Sequence, residues 1–190
     1  MAQTDKDTSA RDQILEEIQD RVLWLATYMI HHANVVRPNT DGIKVGGHQT
    51  SSASAVTLLT SLFFDLMDPG DRICVKPHAG PVFHAIQYLI GNLDKEYMET
   101  LRAFHGLQSY PSRTKDPDPV DFSGGSMGLG VIAPNFASLT DEYLVSHEYL
   151  PNNLSHRYIA TLGDAELDEG SVWEAIIEPQ LSALSNVLWV

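Results

Sequence analysis

The sequence has one cysteine, few basic residues and no long apolar run. With a single cysteine the chain cannot form an internal disulfide, which fits a reducing compartment. Its 12 Lys and Arg are outnumbered by 25 Asp and Glu, and the formal net charge of −13 argues against a surface that binds nucleic acid or anionic membranes. No apolar run is long enough to span a membrane, and residues 1–9 lack the apolar segment of a secretion signal. These absences predict a cytoplasmic protein.

The single cysteine, Cys74, lies in the apolar stretch 72–75. A small side chain in such a stretch is more often buried in a strand than exposed as a reactive thiol. We therefore expect Cys74 to be buried and unreactive.

The composition is that of an ordered globular chain, with 43% hydrophobic and 19% charged residues. A chain of 190 residues can bury one sizeable core. The N-terminal residues are polar, so we predict a flexible tail over residues 1–10 and one folded region over residues 11–190.

Hydrophobic spacing predicts helices that alternate with short strands. Apolar residues from Ile14 to Met29 recur at helical spacing and predict a helix over residues 11–32. Three strands are predicted over residues 72–76, 157–162 and 186–190. Helices that alternate with short strands predict an α/β fold, with a parallel sheet and helices on both of its faces.

Four loops combine glycines with polar groups: residues 46–52, 76–81, 123–130 and 163–170. In open α/β sheets ligands bind beyond the carboxyl ends of strands, and glycines there let the backbone approach a ligand closely. A single carboxylate such as Asp164, placed beside a diphosphate, suits a Mg²⁺ ligand. Any one of these loops is more often an ordinary turn, because glycine-rich loops before helices are common in α/β folds.

Five segments together resemble the cofactor-binding half of the thiamine-diphosphate enzymes. They are residues 47–53, 76–81, 107–111, 126–130 and 163–169, in that order along the chain. The most similar family is the homodimeric first, decarboxylating component of the pyruvate dehydrogenase complex, which is related to transketolase. The resemblance extends from about residue 22 to residue 190, and it implies a partial diphosphate-binding domain of the transketolase N-terminal type over residues 11–190.

The resemblance implies a site for thiamine diphosphate and Mg²⁺. Its implied cofactor-binding residues are Ser51, Ser126, Met127, Gly128, Gly163, Asp164, Ala165, Glu166 and Glu169. Asp164 is the implied metal ligand, the turn 163–166 surrounds the diphosphate, and residues 126–128 form a wall that holds the cofactor bent. Glu169 matches an acid of a carboxylate network near a subunit interface.

The implied catalytic residues are His48, His78 and Tyr110, which line the pocket of the keto acid in the family. Imidazoles suit that task because they exchange protons near neutral pH. Without the resemblance, His48 and His78 are ordinary loop histidines. The acids of residues 166–169 are then a solvated helix start.

The family activity implied for the chain is decarboxylation of a 2-oxo acid, with pyruvate as the expected substrate, and transfer of the acyl group to a lipoyl carrier. The cofactor supplies the carbanion chemistry. Implied partners are a second, identical subunit and a lipoyl-bearing acyltransferase. One alternative is transketolase-type transfer of two-carbon units between sugar phosphates. Another is a non-catalytic half-chain that a partner completes.

The sequence departs from the family pattern in two places and lacks two of its elements. Ala165 replaces a glycine, and Lys76 stands where close relatives often carry glutamine beside the pocket. The family's second metal ligand, an asparagine, follows the strand that contains Val190, and its catalytic glutamate lies in a further domain. We therefore expect an N-terminal piece of a longer enzyme, inactive by itself.

Overall fold

The computed structural model describes residues 2–40, 42–125, 128–151 and 155–190. The chain divides into two compact units. The first unit comprises Met1–Met67 with His78–Ser109, and the second comprises Asp68–Pro77 with Tyr110–Val190. Assignment of residues 11–190 to one partial domain stays a prediction.

The first unit is helical. Its α-helices are α1 (Ala2–His31), α2 (Gln49–Ala53), α3 (Val56–Ser61) and α4 (Gly80–Leu89). A π-helical turn, His32–Val36, follows α1, a second, Leu62–Leu66, follows α3, and Lys95–Glu99 is a 3₁₀ helix. The core lies where the end of α1 meets the chain after α4, in a cluster of Met29, Ile30, Ala33, Leu93, Met98, Leu101 and Leu107.

Helix α1 begins nine residues before the predicted start at Arg11, because it runs from Ala2. Residues 2–10 contain neither Gly nor Pro, so nothing in their sequence breaks a helix. Apolar spacing starts only at Ile14, and a pattern of buried residues cannot reveal polar turns that precede it. The flexibility predicted for residues 1–10 stays a prediction.

The second unit contains a parallel sheet. Its strands are β1 (Arg72–Cys74), β2 (Tyr158–Ala160) and β3 (Val187–Trp189), in the order β1-β2-β3. Its helices are α5 (Leu129–Ser146), α6 (Gly170–Ile177) and α7 (Pro179–Ser182), and Asp164–Asp168 is a 3₁₀ helix. Helix α5 packs against all three strands. The predicted fold class, α/β with a parallel sheet, is confirmed.

Each strand is three residues long, shorter than the sequence predicts, yet backbone pairing continues past the strand ends. The Thr161 N–H donates to the Cys74 carbonyl at 3.0 Å, and the Leu162 N–H donates to the Val190 carbonyl at 2.9 Å. The segments that pair through backbone hydrogen bonds are therefore longer than the regular strands, and the predicted strands agree better with these paired segments.

Polar side chains fasten α5 to the sheet. The Tyr158 hydroxyl of β2 donates to Asp141 Oδ2 of α5 at 2.5 Å, and His156 Nε2 lies 2.8 Å from the same oxygen. Burial and the hydrogen bond to Asp141 raise the pKa of Tyr158, so its hydroxyl stays a donor. Trp189 Nε1 of β3 donates to Asn135 Oδ1 of α5 at 2.8 Å.

An ion pair joins the amino ends of β1 and β2. Asp71 is 4% exposed, and its Oδ1 accepts the Arg157 backbone N–H at 2.6 Å. Its Oδ2 accepts from Arg157 Nε at 2.9 Å and from Nη2 at 2.6 Å. Burial acts to raise the pKa of Asp71, but the hydrogen bonds and charge of Arg157 outweigh it and hold that pKa below its usual value. The pair therefore stabilises the charged form of Asp71.

Cys74 is 1% exposed, as expected from its apolar surroundings. Burial, followed by the charges of Glu166 and Asp121, raises the pKa of its thiol to about 12. Because the thiolate is the reactive form, we expect Cys74 to be unreactive in the folded chain.

Within the residues that the structure describes, no helix has both the length and the apolar character needed to cross a membrane.

We expect Asp71→Asn to lower the free energy of unfolding by about 2–3 kcal/mol at neutral pH, because it removes charged hydrogen bonds to Arg157. The value stays below that of a fully buried pair, since the Arg157 side chain is 36% exposed. The native pKa of Asp71 is depressed, so its contribution is complete above the unfolded pKa, about 4, and disappears as the pH falls through the native pKa. Urea unfolding across pH measures both effects.

Asp68→Asn is the matched control for Asp71→Asn. Asp68 also faces Arg157, at 3.5 Å, but its side chain is 84% exposed, so we expect a change within about 0.5 kcal/mol. Equal losses in the two variants would contradict the structural role of the buried pair.

The single thiol provides a second prediction. A thiol-reactive reagent at mildly alkaline pH should modify Cys74 in urea and leave it unmodified in the folded chain, because burial denies access and suppresses the thiolate. The measurement is the rate of colour release from an aromatic disulfide. Equal rates with and without urea would mean that Cys74 is not buried.

Candidate functional site

The carboxyl ends of β1 and β2 lie side by side, and Thr161 links the chain segments that leave them. The Thr161 Oγ1 accepts the Lys76 backbone N–H at 2.7 Å and donates to the Cys74 carbonyl at 3.3 Å. We call Lys76, Thr161 and residues 163–169 the carboxyl edge. The edge is the place where the sequence predicts ligand binding in a parallel sheet.

The turn 163–169 is closed by one carboxylate. Glu166 Oε2 accepts the Gly163 backbone N–H at 2.8 Å, and the Glu166 N–H donates to the Gly163 carbonyl at 3.0 Å. Asp164 and Ala165 are exposed at the start of the 3₁₀ helix. Glu166 thus maintains the turn, while the Asp164 carboxylate faces solvent.

Ala165 is compatible with this turn. The non-glycine residues with positive φ among those described are Arg102, His105 and Glu148, so Ala165 has an ordinary backbone conformation. The glycine of the family pattern is therefore not required here, and the departure at Ala165 leaves the turn intact.

The Lys76 ammonium lies on the turn. Its Nζ is 3.7 Å from Glu166 Oε2, and the two side chains are 22% and 12% exposed. A Cβ added to Gly163 would overlap this Nζ. Sequence reasoning identified Lys76 as a departure from the family pattern but missed its position over Gly163, and it gave Thr161 no role.

Gly128, immediately before α5, packs against the start of α6. Its φ is +73°, and an added Cβ would lie 2.5 Å from Val172 Cγ2 and 3.3 Å from Glu169 Cβ. Glycine is therefore required here for both conformation and space. The structure thus brings two predicted cofactor-binding residues together, Gly128 and Glu169. The predicted residues Ser126 and Met127 lie outside the described residues.

The carboxylates of the edge fit a metal that is shared with phosphate, rather than one held by protein alone. In the described parts of the chain, no group of three or more His, Cys, Asp or Glu side chains could hold a metal ion. Glu166 is engaged with Gly163 and Lys76. Asp164 and Asp168 are exposed, and Asp164 is the nearer of the two in sequence to the end of β2. Mg²⁺ commonly combines one or two carboxylates with phosphate oxygens and water, which matches this donor set.

The predicted residues of the first unit are on or near its surface. His48 precedes α2 and is exposed, and Ser51 lies half-buried in α2, where its carbonyl accepts the Ser54 hydroxyl at 2.9 Å. His78 is exposed in the 3₁₀ turn Pro77–Ala79. Tyr110, in the second unit, is 44% exposed. These side chains are accessible, and their catalytic roles stay predictions.

We expect Gly128→Ala to lower the free energy of unfolding by about 2–4 kcal/mol, because the methyl group meets Val172 and the positive φ becomes strained. Gly91→Ala is the control, since Gly91 has a φ of +87° with no atom within 4 Å of an added Cβ. Gly91→Ala should therefore lower the free energy of unfolding only through the strain of alanine at positive φ, by about 1 kcal/mol. Urea unfolding measures both, and equal losses would contradict the close packing of Gly128.

No protein-family model matches the chain. Its curated relatives include the pyruvate dehydrogenase E1 component of Mycolicibacterium smegmatis, 32% identical over 181 residues that cover 89% of this chain and 19% of that protein. The protein of the same name from Escherichia coli is 30% identical over 165 residues, covering 82% and 18%. Transketolase-like protein 2 of Bos taurus is 33% identical over 155 residues, covering 76% and 23%.

The chain spans about a fifth of the length of these relatives. The similarity extends over most of the chain, including the segments on which the resemblance depends. The family resemblance inferred from the sequence is confirmed: the chain is related to pyruvate dehydrogenase E1 components and to a transketolase-like protein.

Proposed function

We propose that the chain is the diphosphate-binding part of a thiamine-diphosphate-dependent enzyme that decarboxylates a 2-oxo acid, with pyruvate as the substrate. The acyl group would pass to a lipoyl carrier, in a cytoplasmic enzyme that works as a dimer. The observation that carries the proposal is the carboxyl edge, where the exposed Asp164 lies on a glycine-started turn beyond β2. The names of the bacterial relatives support the reaction class.

In this proposal the residues of the carboxyl edge bind the diphosphate end of the cofactor. Asp164 would give one carboxylate oxygen to Mg²⁺, and the backbone of residues 163–165 would lie along the diphosphate. Glu166 would hold the turn in shape through Gly163, as it does in the structure. Such positioning matters because a diphosphate and its metal are bound by fixed charges rather than by apolar contact.

Gly128 and Glu169 would shape the neighbouring wall. The absence of a side chain at Gly128 lets its backbone lie against Glu169, so the residue that precedes α5 is held next to the turn. Ser126 and Met127 are proposed to complete this wall, and Ser51 to line the pocket. Glu169, half-buried beside Gly128, is proposed to belong to a carboxylate network that reaches a second subunit.

The proposed catalytic residues transfer protons. His48 and His78 would exchange a proton with the keto acid and its product, because imidazole does so near neutral pH, and Tyr110 would donate a hydrogen bond to the same substrate. The bound thiamine diphosphate would supply the electron sink that the decarboxylation needs. We propose that the activity also needs residues outside this chain, namely a second metal ligand and a catalytic glutamate.

Transketolase-type transfer of two-carbon units is the second candidate. It is favoured by the 33% identity to transketolase-like protein 2 of Bos taurus. Both candidates use the same cofactor end, so the carboxyl edge supports them equally. They differ in the acceptor, which is a lipoyl group in one case and a sugar phosphate in the other.

Calorimetric titration of the chain with thiamine diphosphate and excess Mg²⁺ tests the cofactor site. We expect Asp164→Ala to weaken binding at least about tenfold, because it removes the proposed metal ligand. Asp168→Ala is the matched control, since Asp168 is exposed on the same 3₁₀ helix and has no proposed contact with the metal. No binding by the wild-type chain, or equal losses in the two variants, would contradict the proposal.

A further inference from the structure

We propose that Lys76 is a diphosphate-binding residue of this chain, and that its ammonium makes binding less dependent on Mg²⁺ than glutamine at the same position would allow. The proposal rests on the proposed function for the identity of the ligand, and on the geometry of the carboxyl edge for the residue. It gives a role to a side chain that the family resemblance marks as a departure from the family pattern.

The base of the Lys76 side chain is fixed at the edge. Its backbone N–H donates to Thr161 Oγ1 at 2.7 Å, two residues after the last residue of β1. Thr161 is 5% exposed and also bonds to the Cys74 carbonyl, so it cannot shift without disturbing the pairing of β1 with β2. The lysine therefore starts from a rigid position and extends over the turn.

The ammonium is held over the turn but is not saturated there. Its distance of 3.7 Å from Glu166 Oε2 exceeds the usual hydrogen-bond range, and that oxygen already accepts the Gly163 N–H at 2.8 Å. An ammonium has three donors, so Nζ retains the capacity to bind an anion. Because a Cβ on Gly163 would overlap Nζ, the glycine leaves the space that the ammonium occupies.

The charge of the turn makes this cation important. Residues 163–169 carry four acids, Asp164, Glu166, Asp168 and Glu169. A diphosphate that approaches them is repelled unless cations are near. Mg²⁺ is one such cation, and Lys76 is a second that belongs to the chain. If glutamine replaced Lys76, Mg²⁺ would be the one of these two cations left to offset the negative charge of the turn and the diphosphate, since an amide carries no charge.

Titration with inorganic pyrophosphate, with EDTA and then with Mg²⁺, tests the proposal in the 190-residue chain. Without Mg²⁺ we expect Lys76→Gln to weaken pyrophosphate binding about tenfold, because a charge-assisted contact is lost. Lys76→Arg should bind within about threefold of wild type, since the cation is kept. With Mg²⁺ the loss in Lys76→Gln should shrink, and it should also shrink at high salt.

Lys115→Gln is the matched control, because Lys115 is an exposed lysine of the same unit and the net charge changes equally. Equal weakening in Lys76→Gln and Lys115→Gln would overturn the proposal in favour of long-range attraction. So would unchanged binding by Lys76→Gln, or no pyrophosphate binding by the wild-type chain. Protection of the Cys74 thiol verifies that each variant is folded.

The result is separable from the proposed function. If Lys76→Gln loses pyrophosphate while thiamine diphosphate binds no better than pyrophosphate, Lys76 binds diphosphate but the cofactor assignment fails. If thiamine diphosphate binds through Asp164 and Lys76→Gln changes nothing, the cofactor assignment stands and the role of Lys76 is wrong.

Discussion

The parallel pairing of β1 with β2 is the constraint on which the second unit and its candidate site depend. Parallel strands cannot be joined by a tight turn, and here Asp71 and Arg157, at the amino ends of these strands, lie 86 residues apart in sequence. A ladder of three residues is short, so side chains secure both of its ends. Asp71 binds Arg157 at the amino end, and Thr161 binds the segment after β1 at the carboxyl end. The register places Cys74 opposite Ala160, and this pairing brings Lys76 to the turn that starts at Gly163.

The carboxyl edge contains one acid that closes its turn, Glu166, and another, Asp164, that is proposed to bind a metal. Glu166 is bonded to the Gly163 backbone and lies beside the Lys76 ammonium, so its geometry is set by the turn. Asp164, two residues earlier, is exposed to solvent, and the turn is closed by Glu166 instead. In the proposed function the carboxylate that closes the turn is not the one that would bind the metal, so the turn would not need to open for metal binding. Preorganisation of this kind lowers the cost of binding.

The sequence predicted the architecture well, because the alternation of helices and strands is a local pattern, whereas the location of the site stays a prediction. Alternating helices and strands gave the parallel sheet, and the ordered glycine-containing segments indicated relatives that the comparisons confirm. The predicted start of α1 was wrong, because polar helical turns leave no apolar pattern in the sequence. The position of the Lys76 ammonium depends on the register between distant strands, which no local pattern encodes. The roles of His48, His78 and Tyr110 stay predictions, because an exposed side chain does not reveal its ligand.

The two glycines of the candidate site illustrate why a motif needs a structure before its physical reason is known. Gly128 has a positive φ and no room for a side chain, so its own backbone and Val172 both demand glycine. Gly163 has a φ of −112°, which any residue adopts, so its conformation demands nothing. A side chain at this position would instead displace the Lys76 ammonium from its place over the turn. Lys76 and Gly163 therefore form a coupled pair, in which the glycine gives the cation its place on an otherwise acidic turn. Gly163 thus has two possible reasons to be glycine in this chain. It belongs to the turn that the family resemblance assigns to the cofactor, and it leaves room for the Lys76 ammonium.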